Sequence, residues 1–201
     1  MTDTRTVLIT GATGKQGGAV ARHLAGKGFE IRSMTRKVDS DVAKSLAAAG
    51  AEIVKGDLDD AASIDAALTG AWGAFAVQNT WEAGVEGEEA QGKRFATVAR
   101  KVGVQHFVYS SVGSAHRQTG IPHFENKWRV EETVRSLGFP SHVILRPVFF
   151  MENLLSGSSR EGIDNGVVAI ALQPETHLQL IAVRDIGRYG APILQDPEPP
   201  S

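Results

Sequence analysis

Val7-Leu8-Ile9-Thr10-Gly11-Ala12-Thr13-Gly14-Lys15-Gln16-Gly17 compresses an apolar strand, a glycine-punctuated turn and a helix start into one short stretch near the N-terminus. The apolar run reads as a buried parallel strand, and each of the three glycines has a separate mechanical task. Gly11 permits a tight turn. Gly14, lacking a Cβ, lets the backbone approach a pyrophosphate, and Gly17 lets the following helix pack close to the strand. The helix N-terminus then turns its amides toward the anion, with Thr13, Lys15 and Gln16 beside it. The helical pattern Ala19-Val20-Ala21-Arg22-His23-Leu24 follows directly. A strand before and a helix after are what separate a dinucleotide site from a chance spacing of glycines.

Outward from this turn the same unit repeats. Strand-like runs fall at Val7 to Thr10, Glu30 to Met34, Ala51 to Val54, Ala74 to Val77, His106 to Ser110 and His142 to Leu145. Helical patterns lie between them at Gly17 to Gly26, Asp41 to Ala49, Ser63 to Leu68, Glu82 to Val102 and Phe124 to Leu137, with Gly or Pro in the short connections. This alternation predicts an α/β fold, a Rossmann-type doubly wound parallel sheet with helices on both faces. A ligand then lies across the C-terminal strand ends, near the reversal of strand order. Beyond residue 150 the pattern weakens: Ser156 to Gly166 reads as loop, Val167 to Ala171 and Leu178 to Val183 as short strands, and Arg184 to Leu194 as a last helix. The expected organisation is one domain over residues 1–195, with a reduced substrate side from about residue 150 and a proline-rich disordered tail over 196–201.

Composition bounds the function. The 201 residues are 42% hydrophobic and 22% charged, enough for a full core. With 21 basic and 23 acidic residues well mixed, no basic stripe is available for nucleic acid. There is no cysteine, which excludes disulfides, thiolate metal sites and a cysteine nucleophile. The six histidines are scattered without metal-ligand spacing, and no serine sits in a Gly-x-Ser-x-Gly elbow. The N-terminus enters the first strand without a signal-like apolar segment, and no run reaches membrane-spanning length; the expected location is cytoplasmic.

The second strand indicates which dinucleotide. An NAD site of this type ends that strand with a carboxylate for the ribose hydroxyls, whereas here the residues are Arg32-Ser33-Met34-Thr35-Arg36-Lys37. Arg36 can pair with a 2′-phosphate, with Lys37 or Lys15 adding charge, so NADP(H) is preferred over NAD(H). Asp39 and Asp41 lie beyond the strand end, nearer the next helix cap. Asp57, with Leu58 after it, is placed either to accept from an adenine amino group or to cap the loop before Ser63. Gln78 and Asn79 follow the fourth strand, where their amides can reach a ribose or bridge loops.

Several separated segments carry a wider resemblance. They are Thr10 to Gly17, Asn79-Thr80-Trp81-Glu82, Gln91-Gly92-Lys93, His106-Phe107-Val108-Tyr109-Ser110-Ser111, Pro122-His123-Phe124-Glu125-Asn126-Lys127 and Arg146-Pro147-Val148-Phe149-Phe150-Met151-Glu152-Asn153. Together these resemble the NmrA-like family of atypical short-chain dehydrogenase/reductase relatives, including its NADPH-sensing, HSCARG-like branch. The resemblance implies a Rossmann fold binding NADP(H). It implies either a reductase of quinones and related small acceptors or a protein that reports redox state to a regulatory protein partner. Members of that family extend well past residue 201, into a part that supplies much of the substrate cleft. The substrate side is therefore expected to be open, completed by a second subunit as in a homodimer, or cut short by truncation.

Short-chain dehydrogenases use a tyrosine with a lysine four residues later; the corresponding pair here is His123 and Lys127. That spacing puts both on one helical face, so Lys127 can still reach a nicotinamide ribose. His123 can donate a proton near neutrality, but Lys127 nearby favours its neutral form. Ser110, and Ser111 after it, stand where the family relationship places a substrate-polarising hydroxyl, while Tyr109 reads as packed. Pro147, Phe149 and their neighbours Val148 and Phe150 either wall the nicotinamide or belong to the core, with Met151 and Asn153 as outer candidates. Without the tyrosine, simple ketone reduction is disfavoured because its alkoxide needs a positioned proton donor. Reduction of a quinone or enone survives, because water can protonate the delocalised anion.

Overall fold

Alternate residues of the first strand face opposite layers, and this period of two organises the domain. The computed structural model describes residues 4–155, 157–173 and 175–197. Six strands, β1 (Arg5–Ile9), β2 (Phe29–Thr35), β3 (Glu52–Lys55), β4 (Gly73–Ala76), β5 (His106–Ser110) and β6 (Ser141–Leu145), form one sheet in the order β3-β2-β1-β4-β5-β6. Every pairing in it is parallel. Between the strands run α1 (Lys15–Leu24), α2 (Asp41–Ala48), α3 (Ala61–Leu68), α4 (Thr80–Lys101) and α5 (Pro122–Ser136).

Val7, Ile9, Phe75 and Val108 point to the layer holding Val20, Leu24 and Leu46, on α1 and α2. Leu8, Ala74, Phe107 and Tyr109 point to the other layer, against Ile64, Phe95 and Val134 from α3, α4 and α5. Both faces are thereby covered, as a parallel sheet requires. Each fully buried Leu, Ile or Phe contributes about 1.5–3 kcal/mol of burial free energy. Strand order reverses between β1 and β4, so their C-terminal ends open the crevice in which such folds bind ligands.

The sequence-based elements fall within a few residues of these, with two instructive differences. α1 starts at Lys15, ahead of Gly17, so all of its first turn faces the glycine loop. α4 begins at Thr80 and is two pieces, because Gly84 breaks it with φ +75° and ψ 172°.

After β6 the expectations are corrected more heavily. Gly157–Asp164 is a helix, α6, where a loop was expected; its Arg160 pairs with Asp164 one turn on. Residues 167–171 form no strand and are exposed, for no neighbouring strand offers them a ladder. Within the run Leu178 to Val183 only Leu180–Ile181 is a strand, and it pairs with Phe149–Phe150 in a separate two-stranded sheet. The last helix, α7 (Val183–Gln195), starts one residue before the expected Arg184. α7 returns to the domain and packs on α1, where a Cβ on Gly187 would stand 2.5 Å from the Ala19 carbonyl oxygen. Of the tail expected to be disordered from residue 196, Asp196 closes α7 and the Pro197 carbonyl accepts from Ser141; residues 198–201 lie outside the described residues.

Candidate functional site

At the reversal point, Thr10 ties the two crevice strands together. Its hydroxyl donates to the Val77 carbonyl at 3.0 Å and accepts from the Val77 amide at 2.8 Å. Gly11 follows at φ +59°, where an added Cβ would lie 2.8 Å from Val77 Cγ1. The Gly14 amide closes the turn on the Gly11 carbonyl at 2.9 Å. Gly17 has no room for any side chain: a Cβ would sit 2.5 Å from both the Thr10 and Gly11 oxygens. Side chains of Ser40, Asp60 and Asn79 cap α2, α3 and α4, whereas α1 has neither a side-chain cap nor an acidic residue in its first turn. Its positive end is thus left for an anion, and a close-approach glycine turn beneath it fits the pyrophosphate of a dinucleotide. Thr13, Gly14 and Lys15 are exposed at this turn.

At one end of the crevice stand Arg36 and Lys37, both exposed just past β2. The Arg36 guanidinium donates to Glu82 from the first turn of α4. That hydrogen bond and charge raise the Arg36 pKa, with smaller help from Asp57 and Asp59 against the effect of burial. Asp57 holds its own loop: its Oδ1 accepts from the Asp59 amide at 3.0 Å, and Ser63 Oγ accepts from its amide at 2.9 Å. Leu58 packs against the core, and its carbonyl takes Arg94 Nη1 at 2.7 Å. Ser40 caps the following helix and Asp41 lies in its first turn, away from the strand end.

The other end gathers Gln16, Ser110, His123 and Lys127, and internal partners hold each of them. Ser110 is fully buried and donates to Gln16 Oε1 at 2.6 Å, which joins β5 to α1. Lys127 Nζ lies 2.7 Å from Glu88 Oε1, with side chains 11% and 1% exposed. The other oxygen of Glu88 accepts from Thr80 and from Asn126 Nδ2 at 3.0 Å. A carboxylate so enclosed is tolerable only with this full set of donors. His123 lies tilted against the Trp81 ring, centroids 5.7 Å apart, and edge-on to Phe124 at 4.8 Å. Burial lowers its pKa and Lys127 lowers it further, outweighing Glu88, so the ring is neutral at pH 7. Tyr109 is 1% exposed beneath Lys127, and burial, reinforced by Glu88, Glu131 and Glu89, drives its phenol well above the usual range.

Gln78 is buried, and both polar atoms of its amide lack a hydrogen-bond partner within the protein; its Oε1 lies where a Cβ on Gly92 of α4 would approach to 3.3 Å. Asn79 accepts from the Trp81 amide as the α4 cap.

The Arg146-to-Asn153 segment attaches the outer region to the domain. Arg146 clasps buried Glu131 in a two-pronged pair of 2.9 and 2.6 Å, and Arg135 adds a third contact of 2.7 Å. Burial would raise the Glu131 pKa, but the bonds from Arg146, Ser111 and Arg135 prevail and lower it. Pro147 is buried and accepts the Gly113 amide at 2.8 Å, and Phe149 and Phe150 are half-buried. Lys15 reaches across to Asn153 Oδ1 at 3.2 Å, toward this segment. Glu152 caps the Val183 amide at the start of α7 at 2.9 and 3.0 Å. Beside it an open hollow of about 530 Å³ is lined by Val148, Met151, Leu180, Ile181, Asp185 and Tyr189, among others.

Three organising residues escape a reading by pattern. Thr10 has a signal, a hydroxyl at a strand's last position before the glycine turn. Glu82 stands in the Asn79-to-Glu82 segment that carries the family resemblance, but its pairing with Arg36 has no signal, and Glu88 has none at all, because surface helices are rich in glutamate and only the fold selects the two that face cations. Among the described residues, no group of His, Asp or Glu could hold a metal ion, and no helix is long and apolar enough to cross a membrane.

The model of the NmrA-like family matches residues 3–200. The NmrA-like family domain-containing oxidoreductase FrzB of Cladobotryum sp. is 37% identical over 161 residues, covering 75% of this chain and 48% of the relative. The negative transcriptional regulator NmrA, solved in complex with NADP, superposes with a TM-score of 0.82 at 25% identity, over 96% of this chain and 62% of that one. The NADPH-dependent quinone oxidoreductase QOR2 from Escherichia coli, solved with NADPH, has the same fold, with a TM-score of 0.80 at 22% identity over 94% of this chain and 65% of that one. The chain spans about half the length of the curated relatives it matches.

Proposed function

The chain belongs to the NmrA-like family, and on that premise we propose that it binds NADP(H) and works as a nucleotide-dependent redox sensor in the cytoplasm, its occupancy read by a regulatory protein partner. This aligns it with the NADPH-sensing branch of the family. The first turn of α1 over Gly11, Gly14 and Gly17 would hold the pyrophosphate. Arg36, aided by Lys37, would take the 2′-phosphate, with Asp57 and Leu58 at the adenine. Pro147 and Phe149 would wall the nicotinamide, and Lys127 would offer its ammonium toward the second ribose. The reduced cofactor would carry a transferable hydride.

One observation carries the sensing role. Two of the polar candidates at the nicotinamide end are directed at partners within the protein, Ser110 at Gln16 and Lys127 at Glu88, and the Tyr109 phenol is buried. Ser110 and Lys127 are thereby turned to internal acceptors instead of to a forming alkoxide.

Calorimetric titration of NADPH and NADH, followed by a quinone panel monitored by NADPH absorbance, tests this. Binding of NADPH in preference to NADH without acceptor-dependent oxidation is expected, and Arg36→Ala should weaken NADPH by roughly 10- to 100-fold, the worth of a charge-assisted bond. Equal affinity for the two nucleotides sinks the NADP preference. Steady oxidation sinks the sensor and installs a second reading, an NADPH-dependent reductase of quinones or other small conjugated acceptors. The open hollow of about 530 Å³ at Val148, Met151 and Leu180 favours that alternative, since its volume suits a small acceptor, and such a product needs no protein acid.

A further inference from the structure

Residues 79–84 form a strap touching both ends of the crevice. Asn79 caps its start, and Gly84, at φ +75°, separates it from the rest of α4. Within it Thr80 donates to Glu88, the partner of Lys127. Trp81 is 87% exposed and lies against His123. Glu82 takes the Arg36 guanidinium. Consecutive residues therefore contact the group that would read the 2′-phosphate and the groups at the nicotinamide end.

We propose that Glu82 is a specificity-determining residue: its carboxylate competes with the 2′-phosphate of NADP(H) for Arg36 and leaves NAD(H), which has no such phosphate, unopposed. The inference rests on Arg36 being the phosphate site. Carboxylate and phosphate seek the same planar fork of donors. A phosphate dianion beside Glu82, with Asp57 and Asp59 already acting on Arg36, would put like charges together, so Glu82 leaves as NADP(H) arrives. The side chains of Arg36 and Glu82 are 51% and 55% exposed. An exposed pair of this kind favours the closed arrangement by only about two- to fivefold, and a self-occupied site weakens apparent ligand affinity by that factor. Release of Glu82 also frees the adjacent Trp81, so the phosphate is signalled at an exposed indole and NAD(H) sends no signal.

The test measures NADP⁺ and NAD⁺ affinities by calorimetry for the wild type, Glu82→Gln, Glu82→Ala and Glu82→Asp, each also in an Arg36→Ala background, with circular dichroism confirming folding. Glu82→Gln and Glu82→Ala should tighten NADP⁺ by roughly two- to fivefold and leave NAD⁺ unchanged. Glu82→Asp should fall between them and the wild type, and the gain should vanish with Arg36→Ala. In the wild type NADP⁺ should shift the Trp81 emission, identified by its loss in Trp81→Phe, and NAD⁺ should not. If Arg36→Ala weakens NADP⁺ while the Glu82 variants change neither nucleotide, or both equally, the competition is overturned and the phosphate assignment stands. If Arg36→Ala leaves NADP⁺ affinity intact, both fall together.

Discussion

From Arg5 to Phe139 apolar side chains run inward to two layers, whereas among described residues 140–182 the only buried side chain is Pro147. Both stretches are rich in Val, Leu and Ile. In the first, each strand finds neighbours and a helix on either face, and Leu8, Ile9, Phe75 and Phe107 are all fully buried. In the second, Leu155, Val167 and Val168 are 64%, 56% and 66% exposed, because none of the described elements covers them. The contrast separates two jobs. Packing that closes on itself builds the crevice at the reversal of strand order, while the outer region is a short two-stranded ladder and an open hollow held on by Arg146, Lys15 and Glu152.

Substitution can break that contrast. The largest effect is expected from Gly17→Val, whose Cβ alone would stand 2.5 Å from two carbonyl oxygens. Denaturant unfolding should show a loss of about 4 kcal/mol or no folded protein, and nucleotide binding should go with it. A variant of wild-type stability would mean that the crevice is not tightly packed. Next is Glu88→Gln, which leaves the Lys127 charge in a buried place and should cost about 3 kcal/mol. The double variant Glu88→Gln with Lys127→Met should recover much of that loss, since it removes the stranded charge; no recovery would show that Thr80 and Asn126 matter more than the ion pair. The smallest change belongs to the outer region: Val168→Ser should alter unfolding free energy by no more than about 0.5 kcal/mol. A larger loss would reveal a cover over residues 150–180 and erase the difference between the regions.

The same division governs how much could be read from sequence. The strand, the glycine turn and the βα alternation were legible because period and turn chemistry depend on residues adjacent in the chain. α6 and the absent strand at 167–171 were misjudged for the converse reason. A short apolar run becomes a strand only if a partner edge exists, and the β7 run Phe149–Phe150 meets only Leu180–Ile181. At the site, Gly11, Gly14, Gly17 and Arg36 were legible from their types and places. The protein surroundings of Gln78 and Asn79 were not, since a terminal amide can turn into the crevice, under a helix or onto a cap with equal ease.

Neighbour-to-neighbour chemistry was therefore sufficient for the Rossmann sheet, the nucleotide turn and the basic residues after β2. The partners of those residues were settled only by the fold, which brings Arg36 to Glu82 across 46 residues and Ser110 to Gln16 across 94. It also sets Lys127 against Glu88. Charge and hydrogen-bonding capacity are properties of a side chain, but whether they face a ligand or one another depends on distance, and tertiary packing determines that distance.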